Sequence, residues 1–386
     1  MSDKDAASSP LKVLLVSAHI GAGHTQAARA VLEALRTAAP EIRAEHLNLL
    51  SVSPRFFRAL YNGAYVLGMT RFPRIYGLGF RLANRPPRCG PGLLERVRVR
   101  HEAMWLRQLE RAVLVRGPEL ILHTHFLGPP VVGELIARNR LAARQMVAVT
   151  DIEMHRWWYA EDVDRWFVPA DTTAAVLRRW GVGAERITVS GIPIRSKWTA
   201  PLDRDRVLSA WRIPRDKKIV ILTGGTEFTC GPVERIARGV LASCPEVCLV
   251  VLAGRNKKLL ARMSRHPGAA EGRLVLVPFT DRAHELVEVC SLMVTKAGGV
   301  TTAECLAKGT AMVLLRPVPG QESGNAEYLA AQGAAVITRN ADQAVAQVRR
   351  LLGDPAALEA MSAGARRLHR PAAQIIAESV LGAVCP

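Results

Sequence analysis

The sequence predicts an α/β protein with two domains, each a parallel sheet wound on both sides by helices. At 386 residues the chain is long for a single domain, and two domains of roughly 150–200 residues are the natural expectation. Short apolar runs alternate with helical stretches as far as Arg350, which is typical of parallel strands buried on both faces. Glycine loops follow several of these runs, where ligands bind in such sheets.

The composition is that of a globular protein with an anionic partner. Residues 1–10 are polar and predict a loose tail rather than a signal peptide. No apolar run approaches the roughly 18–20 residues of a membrane-spanning helix. The seven cysteines show no zinc spacing and indicate a reduced, cytoplasmic protein without a bound metal. The formal net charge of +18 favours an anionic membrane or a nucleic acid as partner.

The first predicted unit is a strand, a glycine loop and a helix. Leu11–Ser17 fits a buried parallel strand and leads into Gly21-Ala-Gly23-His24, with a helix expected from about Thr25 to Ala38. Because ligands bind at the carboxyl ends of such strands, Gly23 and His24 are expected to face a ligand. The alternative for His24 is that it only caps a turn. His19 is a weaker candidate than His24 for a residue that faces the ligand.

The stretch between Glu45 and Glu95 has no acidic residue and holds seven arginines and seven of the thirteen Phe and Tyr residues. Part of it repeats aromatic side chains at helical spacing, which predicts an amphipathic helix with a basic flank. Such a helix suits the interface of an anionic membrane. The alternatives are a core-packing insert and a platform for single-stranded nucleic acid. The side chains predicted to contact the membrane or the acceptor here are Arg55, Phe56, Phe57, Arg58, Tyr61, Tyr65, Arg71, Phe72 and Arg74.

A second polar segment follows the predicted strand Met146–Thr150. Asp151 stands at the end of that strand, where catalytic side chains gather in α/β folds. Three roles stay open for it: a base, a group that orients the histidine, or a carboxylate that caps the next turn. His155, Trp157 and Trp158 are expected to line the entrance for the acceptor. The other elements predicted for this domain are a helix at Leu94–Val115 and strands at Leu120–His123, Arg165–Val168 and Ile187–Val189.

The second domain is predicted to begin with the strand Lys218–Thr223. The glycines after it, in Gly224-Gly225-Thr226, offer a backbone cradle for phosphate. Further buried strands are expected at Val247–Leu252, which runs on to Gly254, and at Leu274–Val277, which runs on to Phe279.

The most informative stretch begins with the strand Leu292–Thr295. It ends at Gly298 and Gly299, and a helix follows with Thr301 and Glu304 near its start. Glycines let a ligand approach the backbone, and the N–H groups of a helix start attract phosphate. Glu304 is placed to accept hydrogen bonds from a ribose. An ordinary strand-loop-helix turn is the alternative for the Gly-Gly pair alone.

A loop rich in Pro, Gly, Gln and Glu follows the next predicted strand, Ala311–Leu315. The amide of Gln321 and the carboxylate of Glu322 suit the hydroxyl groups of a sugar. Two neighbouring loops therefore predict a nucleotide-sugar site.

These loops resemble the donor-site signature of one glycosyltransferase group. Lys296-Ala-Gly-Gly-Val-Thr, followed by Arg316-Pro-Val-Pro-Gly-Gln-Glu and Asn325, is similar to that of the processive diacylglycerol glucosyltransferases and the plant monogalactosyldiacylglycerol synthases. The murein-precursor N-acetylglucosaminyltransferase is a more distant member. Gly21–His24 and Gly191-Ile-Pro-Ile-Arg195 match further motifs, and the resemblance covers about residues 11–370. The family usually has proline where this chain has Ala297.

The resemblance implies a GT-B fold, a UDP-sugar donor, a lipid acceptor and inversion at the anomeric carbon. It further implies that His24 is the base on the acceptor hydroxyl, that Asp151 lines the cleft, and that Arg195 reaches the donor pyrophosphate. The loop after the strand ending at Phe279 would hold uracil. The domains expected are a tail at 1–10, an acceptor domain at 11–195, a linker at 196–206, a donor domain at 207–365, and a last helix at 366–386 that packs back on the first domain.

The function expected is transfer of a hexose, glucose or galactose, from a UDP-sugar to a diacylglycerol-type lipid at the inner face of the cell membrane. No permanently bound cofactor and no nucleic-acid partner are expected. One alternative is another lipid-linked acceptor, such as a murein precursor or a polyprenyl or carotenoid alcohol. A second is a UDP-sugar epimerase, which shares the fold. A third is a catalytically silent protein that binds anionic membrane.

Overall fold

The computed structural model describes residues 11–19, 21–70, 72–84, 86, 97, 100, 104–225, 231–317 and 320–383. Arg71 and Thr226 lie outside these ranges. For Tyr65, Arg74 and Gln321 only the helical backbone is described. The roles expected of these five side chains therefore stay predictions.

The first sheet consists of six parallel strands in the order β2-β1-β3-β4-β5-β6. In β1, Leu14 and Val16 belong to one core cluster, whereas Val13 and Leu15 belong to another. A strand buried on both faces needs such a continuous apolar run. The strands are β1 (Lys12–Ser17), β2 (Arg43–Asn48), β3 (Leu120–His123), β4 (Arg144–Ala148), β5 (Arg165–Val168) and β6 (Ile187–Val189).

The second sheet also consists of six parallel strands, in the order β12-β11-β10-β7-β8-β9. The strand order reverses between β7 and β10, as it reverses between β1 and β3 in the first sheet, and such reversals open a crevice at the carboxyl ends of the strands. The strands are β7 (Lys218–Thr223), β8 (Val247–Gly254), β9 (Leu274–Pro278), β10 (Leu292–Thr295), β11 (Ala311–Leu314) and β12 (Ala335–Ile337).

Helices connect the strands and cover both faces of each sheet. Those around the first sheet are α1 (Gly23–Ala38), α2 (Arg55–Thr70), α3 (Pro73–Ala83), α4 (Arg107–Arg116), α5 (Pro129–Ala137) and α6 (Asp171–Arg179). Those that follow are α7 (Arg204–Ala210), α8 (Val233–Ser243), α9 (Lys257–Met263), α10 (Pro267–Ala270), α11 (Ala283–Val289), α12 (Gly299–Lys308), α13 (Gln321–Ala331), α14 (Ala341–Gly353), α15 (Pro355–Leu368) and α16 (Ala372–Gly382). Short 3₁₀ helices span Arg156–Trp158, Ala184–Arg186 and Ser196–Trp198.

The last helix, α16, crosses from the second domain to the first and packs against α1. Ile376, Ala377 and Val380 are buried in one core with Val13 and Leu15 of β1. The Arg144 guanidinium donates a hydrogen bond to the Ala383 carbonyl at 2.6 Å. The end of the chain therefore helps to hold the two domains together.

The predicted fold class is confirmed: two parallel sheets with flanking helices face each other across a cleft. None of the helices in the described part of the chain combines the length and the apolar character that crossing a bilayer requires.

Candidate active site

Two helix starts, one from each domain, meet at the centre of the cleft. A methyl group on Gly23, at the start of α1, would lie 3.5 Å from the Val300 side chain at the start of α12. Neither helix has a side-chain cap or an acidic residue in its first turn. The N–H groups and the positive ends of both helix dipoles therefore lie close to each other, an arrangement that favours an anion.

Gly299 is in direct contact with the opposite domain. A methyl group added to it would lie 2.0 Å from the Thr150 carbonyl oxygen, far inside van der Waals contact. Only glycine allows α12 to begin this close to the end of β4. The second glycine of the predicted phosphate loop thus brings the two domains together, whereas a methyl group on Gly298 would meet no atom within 4 Å.

Asn325 connects the same two segments from the side. Its amide oxygen accepts a hydrogen bond from the Ile152 backbone N–H at 2.8 Å, and its amide nitrogen donates to the Ala297 carbonyl at 3.0 Å. The side chain is 1% exposed, so water competes little for these bonds. Asn325 therefore fixes the segment after β4 against the loop after β10.

His24 is held by its Nδ1 atom. This nitrogen lies 2.8 Å from the Thr124 carbonyl, which can only accept, so Nδ1 carries the proton. The Thr150 hydroxyl lies 2.9 Å from the same nitrogen. In this tautomer the Nε2 lone pair is available to take a proton. Burial lowers the pKa of His24 from 6.5 to about 4, and the bond to Thr124 opposes this only in part. The ring is therefore neutral at pH 7.

Asp151 is buried beside the same cleft. Burial raises the pKa of its carboxyl from 3.8 to about 7, the Trp158 indole acts in the opposite direction, and the charges of Glu153 and Glu322 raise it further. A carboxyl with a pKa near neutrality can exchange a proton under physiological conditions. The structure thus keeps both His24 and Asp151 as candidate bases.

His125 and Trp158 also belong to the site, although the sequence analysis assigned no role to His125 and placed Trp158 only at the acceptor entrance. The His125 ring meets the His24 ring edge-on with centroids 4.6 Å apart, and the Trp158 ring lies 6.0 Å from His24. The Leu127 N–H donates to His125 Nδ1 at 3.2 Å. Burial, followed by the effect of His24, lowers the pKa of His125 well below its usual value. The signal in the sequence that could have identified His125 was its position just after the predicted strand Leu120–His123.

Glu304 lies one turn inside α12. Burial raises the pKa of its carboxyl from 4.5 to about 8, and the Lys197 ammonium opposes this. The Glu304 carboxyl is therefore largely protonated at pH 7 in this structure, and it can donate one hydrogen bond and accept another. Such a group matches the two hydroxyls of a ribose.

Arg195 is paired with Glu33 of α1, with Nε 3.0 Å from the carboxylate. Burial would raise the pKa of Glu33, but hydrogen bonds from Ser196 and Arg195 outweigh it and hold that pKa below its usual value. The predicted contact of Arg195 with a pyrophosphate stays a prediction. It would require the guanidinium to be shared with Glu33 or released from it.

Lys296 and Glu322 form an ion pair inside the donor domain, 2.7 Å between Nζ and the carboxylate. A methyl group on Gly225 would lie 3.5 Å from the Lys296 side chain, so this chain crosses the loop after β7. Thr301 is half-buried at the start of α12, and Gly224 is buried beside Gly225. The predicted phosphate and sugar loops are therefore adjacent.

Phe279 marks the far end of the second sheet. Its ring is 53% exposed, and the Arg255 guanidinium lies 5.0 Å from the ring centroid. Gly254 pairs with Pro278 in the sheet, which places both loops side by side. An exposed aromatic face next to a guanidinium suits the stacking of a flat base such as uracil.

Two aromatic side chains of the predicted acceptor side, Phe57 and His155, are buried more deeply than expected. Phe57 is 7% exposed and packs with Tyr61 and Trp105, so the prediction that it faces a membrane is wrong. The helical spacing was correct, but it marks the face of α2 that packs on the core. His155 is 1% exposed and is hydrogen-bonded at 2.9 Å to the Phe80 carbonyl, and Trp157 packs beside it. His155 is therefore part of the packing and does not line an open entrance.

The opposite face of α2 and α3 is exposed. Six large apolar side chains there are between 49 and 69% exposed: Phe56, Leu60, Phe72, Ile75, Leu78 and Leu82. We call these six the apolar face. Arg55 and Arg81 are exposed beside it, and Arg58 is partly buried. The structure thus retains a surface that is both apolar and basic, although from a partly different set of side chains.

Within the described ranges, no three His, Cys, Asp or Glu side chains are grouped in a way that could hold a metal ion. Among described groups, the positive charge near the cleft comes from the helix starts and from Arg195, Lys197 and Lys296.

Comparison with solved structures shows the fold class. S. aureus MnaA in its UDP co-structure has a TM-score of 0.63 at 16% identity, with 96% of this chain and 95% of that chain covered. Acinetobacter baumannii MurG has a TM-score of 0.60 at 15% identity, with 97% and 100% covered. The protein has the GT-B fold.

Sequence comparison identifies the family. Residues 24–194 match the model of monogalactosyldiacylglycerol (MGDG) synthase, and residues 220–377 match the glycosyltransferase family 28 C-terminal domain. The processive diacylglycerol beta-glucosyltransferase of Bacillus cereus (strain AH187) is 27% identical over 377 residues, which cover 93% of this chain and 90% of that protein. The chain thus carries a monogalactosyldiacylglycerol synthase domain and a glycosyltransferase family 28 C-terminal domain, and the predicted resemblance is confirmed.

The two glycines of the α12 loop should respond differently to a methyl group. Gly299→Ala forces the methyl against the Thr150 carbonyl and should lower the free energy of unfolding by about 1–3 kcal/mol, the usual cost of overpacking. Gly298→Ala meets no atom and should leave stability unchanged, but it should weaken UDP binding if the phosphate lies against this backbone. Thermal unfolding and calorimetry with UDP measure the two effects. Equal stability of the two variants would contradict the contact.

Proposed function

We propose that the protein transfers a hexose from a UDP-sugar to the hydroxyl group of a diacylglycerol-type lipid, with inversion, at an anionic membrane surface. The observation that carries the proposal is the meeting of two uncapped helix starts, at Gly23 and Gly299, next to the neutral His24. A diphosphate held there would place the anomeric carbon between its leaving oxygen and the base. The names of the relatives and of the matched domains support the lipid acceptor.

The donor would lie along α12. The diphosphate would accept hydrogen bonds from the free N–H groups at the two helix starts, whose dipoles stabilise the charge that develops as the bond to the sugar breaks. Glu304 would bind the ribose, and the base would stack near Phe279. The sugar would then lie by Glu322, in the first turn of α13.

The acceptor would enter from the first domain. A neutral alcohol is a weak nucleophile, so a base must take its proton as it attacks. The Nε2 lone pair of His24 is available because Nδ1–H is bound to Thr124. Attack from the face opposite the diphosphate inverts the anomeric carbon. The negative charge of the bound donor would raise the pKa of His24 from about 4 toward neutrality and so make it a better base.

The membrane part of the proposal rests on the apolar face and its arginines. Six exposed apolar side chains on two adjacent helices form an unusual surface for a water-soluble domain. Between Glu45 and Glu95 the sequence contains no acidic residue that would repel lipid phosphates. Apolar side chains in the interface and arginines at the phosphates would hold the acceptor domain against the bilayer.

Incubation with a donor and an acceptor tests the activity. UDP-glucose, UDP-galactose and UDP-N-acetylglucosamine are each added to diacylglycerol vesicles, and UDP release and the lipid product are followed. We expect UDP release that depends on diacylglycerol and a glycosylated diacylglycerol as product. Conversion of a UDP-sugar to its epimer without lipid, or no reaction with any donor, would contradict the proposal.

Removal of the Glu304 carboxyl tests the donor site. Glu304→Ala should weaken UDP binding by about 1–3 kcal/mol, the cost of leaving buried hydroxyls of the ribose without their hydrogen-bond partner. Glu288→Ala is the matched control, because Glu288 is bound to Lys308 in the same domain. Calorimetry with UDP alone gives both affinities. Unchanged affinity in Glu304→Ala would place the nucleotide elsewhere.

The pH dependence distinguishes the two candidate bases. His24→Ala should lower turnover by about 10²–10⁴ while UDP still binds. Since the pKa of His24 is about 4, the neutral base is present above that pH, and kcat/KM should be lost only as the pH falls through about 4. For Asp151, with a pKa of about 7, the loss would come as the pH falls through 7. A limb near 7 that persists in His24→Ala and disappears in Asp151→Asn would assign the base to Asp151.

Vesicle flotation tests the membrane contact. The double variant Phe56→Ser with Ile75→Ser should remove the part of membrane binding that resists salt. The double variant Arg55→Ser with Arg58→Ser should remove the part that depends on anionic lipid, about 1 kcal/mol per arginine at the surface. Val115→Ser is the matched control, because Val115 is 86% exposed but lies outside the apolar face. If the protein stays off anionic vesicles at low salt, or the control weakens binding equally, the membrane contact is wrong.

A further inference from the structure

The ion pair between Lys296 and Glu322 joins loops that come from three strands. Lys296 follows β10, Glu322 lies in the first turn of α13 after β11, and the Lys296 side chain crosses Gly225 after β7. The carboxylate of Glu322 is 9% exposed, and the Lys296 side chain 27%. The pair therefore lies among the loops of the proposed donor site and is partly shielded from bulk water.

A cation beside a carboxylate this deeply buried offsets part of the cost of burying its charge and fixes the side chain in place. Two more carboxyl groups, those of Asp151 and Glu153, lie in this region. The charges of Glu322 and Glu153 both raise the pKa of Asp151. Lys296 brings a positive charge to this region through its ion pair with Glu322. Without the ammonium, three acidic groups would share the site.

We propose that Lys296 is a positioning residue for sugar recognition: by holding Glu322 in one orientation, it lets this carboxylate accept hydrogen bonds from the hydroxyls of the transferred hexose. Lys296 then acts through Glu322 and does not itself bind the diphosphate. The inference rests on the proposed donor site. It concerns the sugar and not the nucleotide, which makes the two separable.

The geometry assigns two separate functions, one for the sugar and one for the phosphate, to a single loop. The stretch from Lys296 to Gly299 carries an ammonium at one end and the helix start at the other. The Lys296 ammonium is bound to Glu322 and directed toward α13, whereas the N–H groups after Gly298 are free for an anion. The same four residues would thus organise the sugar site through a side chain and the phosphate site through the backbone.

The test compares the affinities of UDP and of UDP-hexose by calorimetry. In the native protein, the sugar should add to the affinity of UDP. Lys296→Met should bind UDP with native affinity but lose the extra affinity of UDP-hexose, and kcat for transfer should fall by about 10-fold or more, the loss of a hydrogen bond to a charged group. Glu322→Gln should show the same pattern. The double variant should be no worse than the more damaged single variant, because both remove one interaction.

Lys296→Arg keeps the cation and should restore part of the extra affinity, which a merely structural lysine would not explain. Lys308→Met is the matched control, since it removes a lysine from another Lys–Glu pair of the same domain, and it should leave the ratio of the two affinities unchanged. Weaker binding of UDP itself in Lys296→Met would make Lys296 a phosphate ligand and overturn the inference. Additive effects of the two single variants would overturn it too. A native protein that binds no UDP would instead refute the donor site.

Discussion

The contact between Gly299 and the Thr150 carbonyl is the constraint on which the site depends. A methyl group at Gly299 would lie 2.0 Å from that oxygen, so the start of α12 reaches the end of β4 only because the side chain is absent. The Thr150 hydroxyl is bound to His24, and Asp151 follows it directly. Asn325 locks the next residue, Ile152, to the loop before α12. One contact therefore sets the base, the carboxylate and the phosphate loop in a fixed relation, which lowers the entropic cost of the reaction.

Burial sets the charge states of this site more strongly than ion pairing does. It lowers the pKa of His24 to about 4 and raises those of Asp151 and Glu304 to about 7 and 8. All three groups therefore tend toward their neutral forms in this structure. An anionic donor between the helix starts would meet a largely protonated carboxyl at Glu304 instead of a full negative charge. This arrangement reduces repulsion of the diphosphate and leaves the helix ends to stabilise it.

The sequence predicted the buried strands and glycine loops well, because a strand covered on both faces must be a continuous apolar run. It missed β2 and β12: Arg43–Asn48 is a mostly polar edge strand, and Ala335–Ile337 has only three residues. For Phe57, the helical spacing predicted α2, but spacing alone does not say which face meets the core. His125, Thr124 and the bridging role of Asn325 could not be predicted, because their contacts join residues about 100 or more positions apart or depend on how the domains dock. The pKa values depend on burial, which motifs do not encode.

The most direct measurement is a crystal structure of the protein with UDP. We predict that the diphosphate lies between the starts of α1 and α12, within hydrogen-bonding distance of the N–H groups after Gly298. The ribose should then lie at Glu304 and the base near Phe279. The contradicting result is UDP bound elsewhere, for example in the arginine-lined cavity of about 570 Å³ at the start of α8, between Arg235, Arg238 and Arg262. With the nucleotide there, the helix starts would have no part in binding the donor.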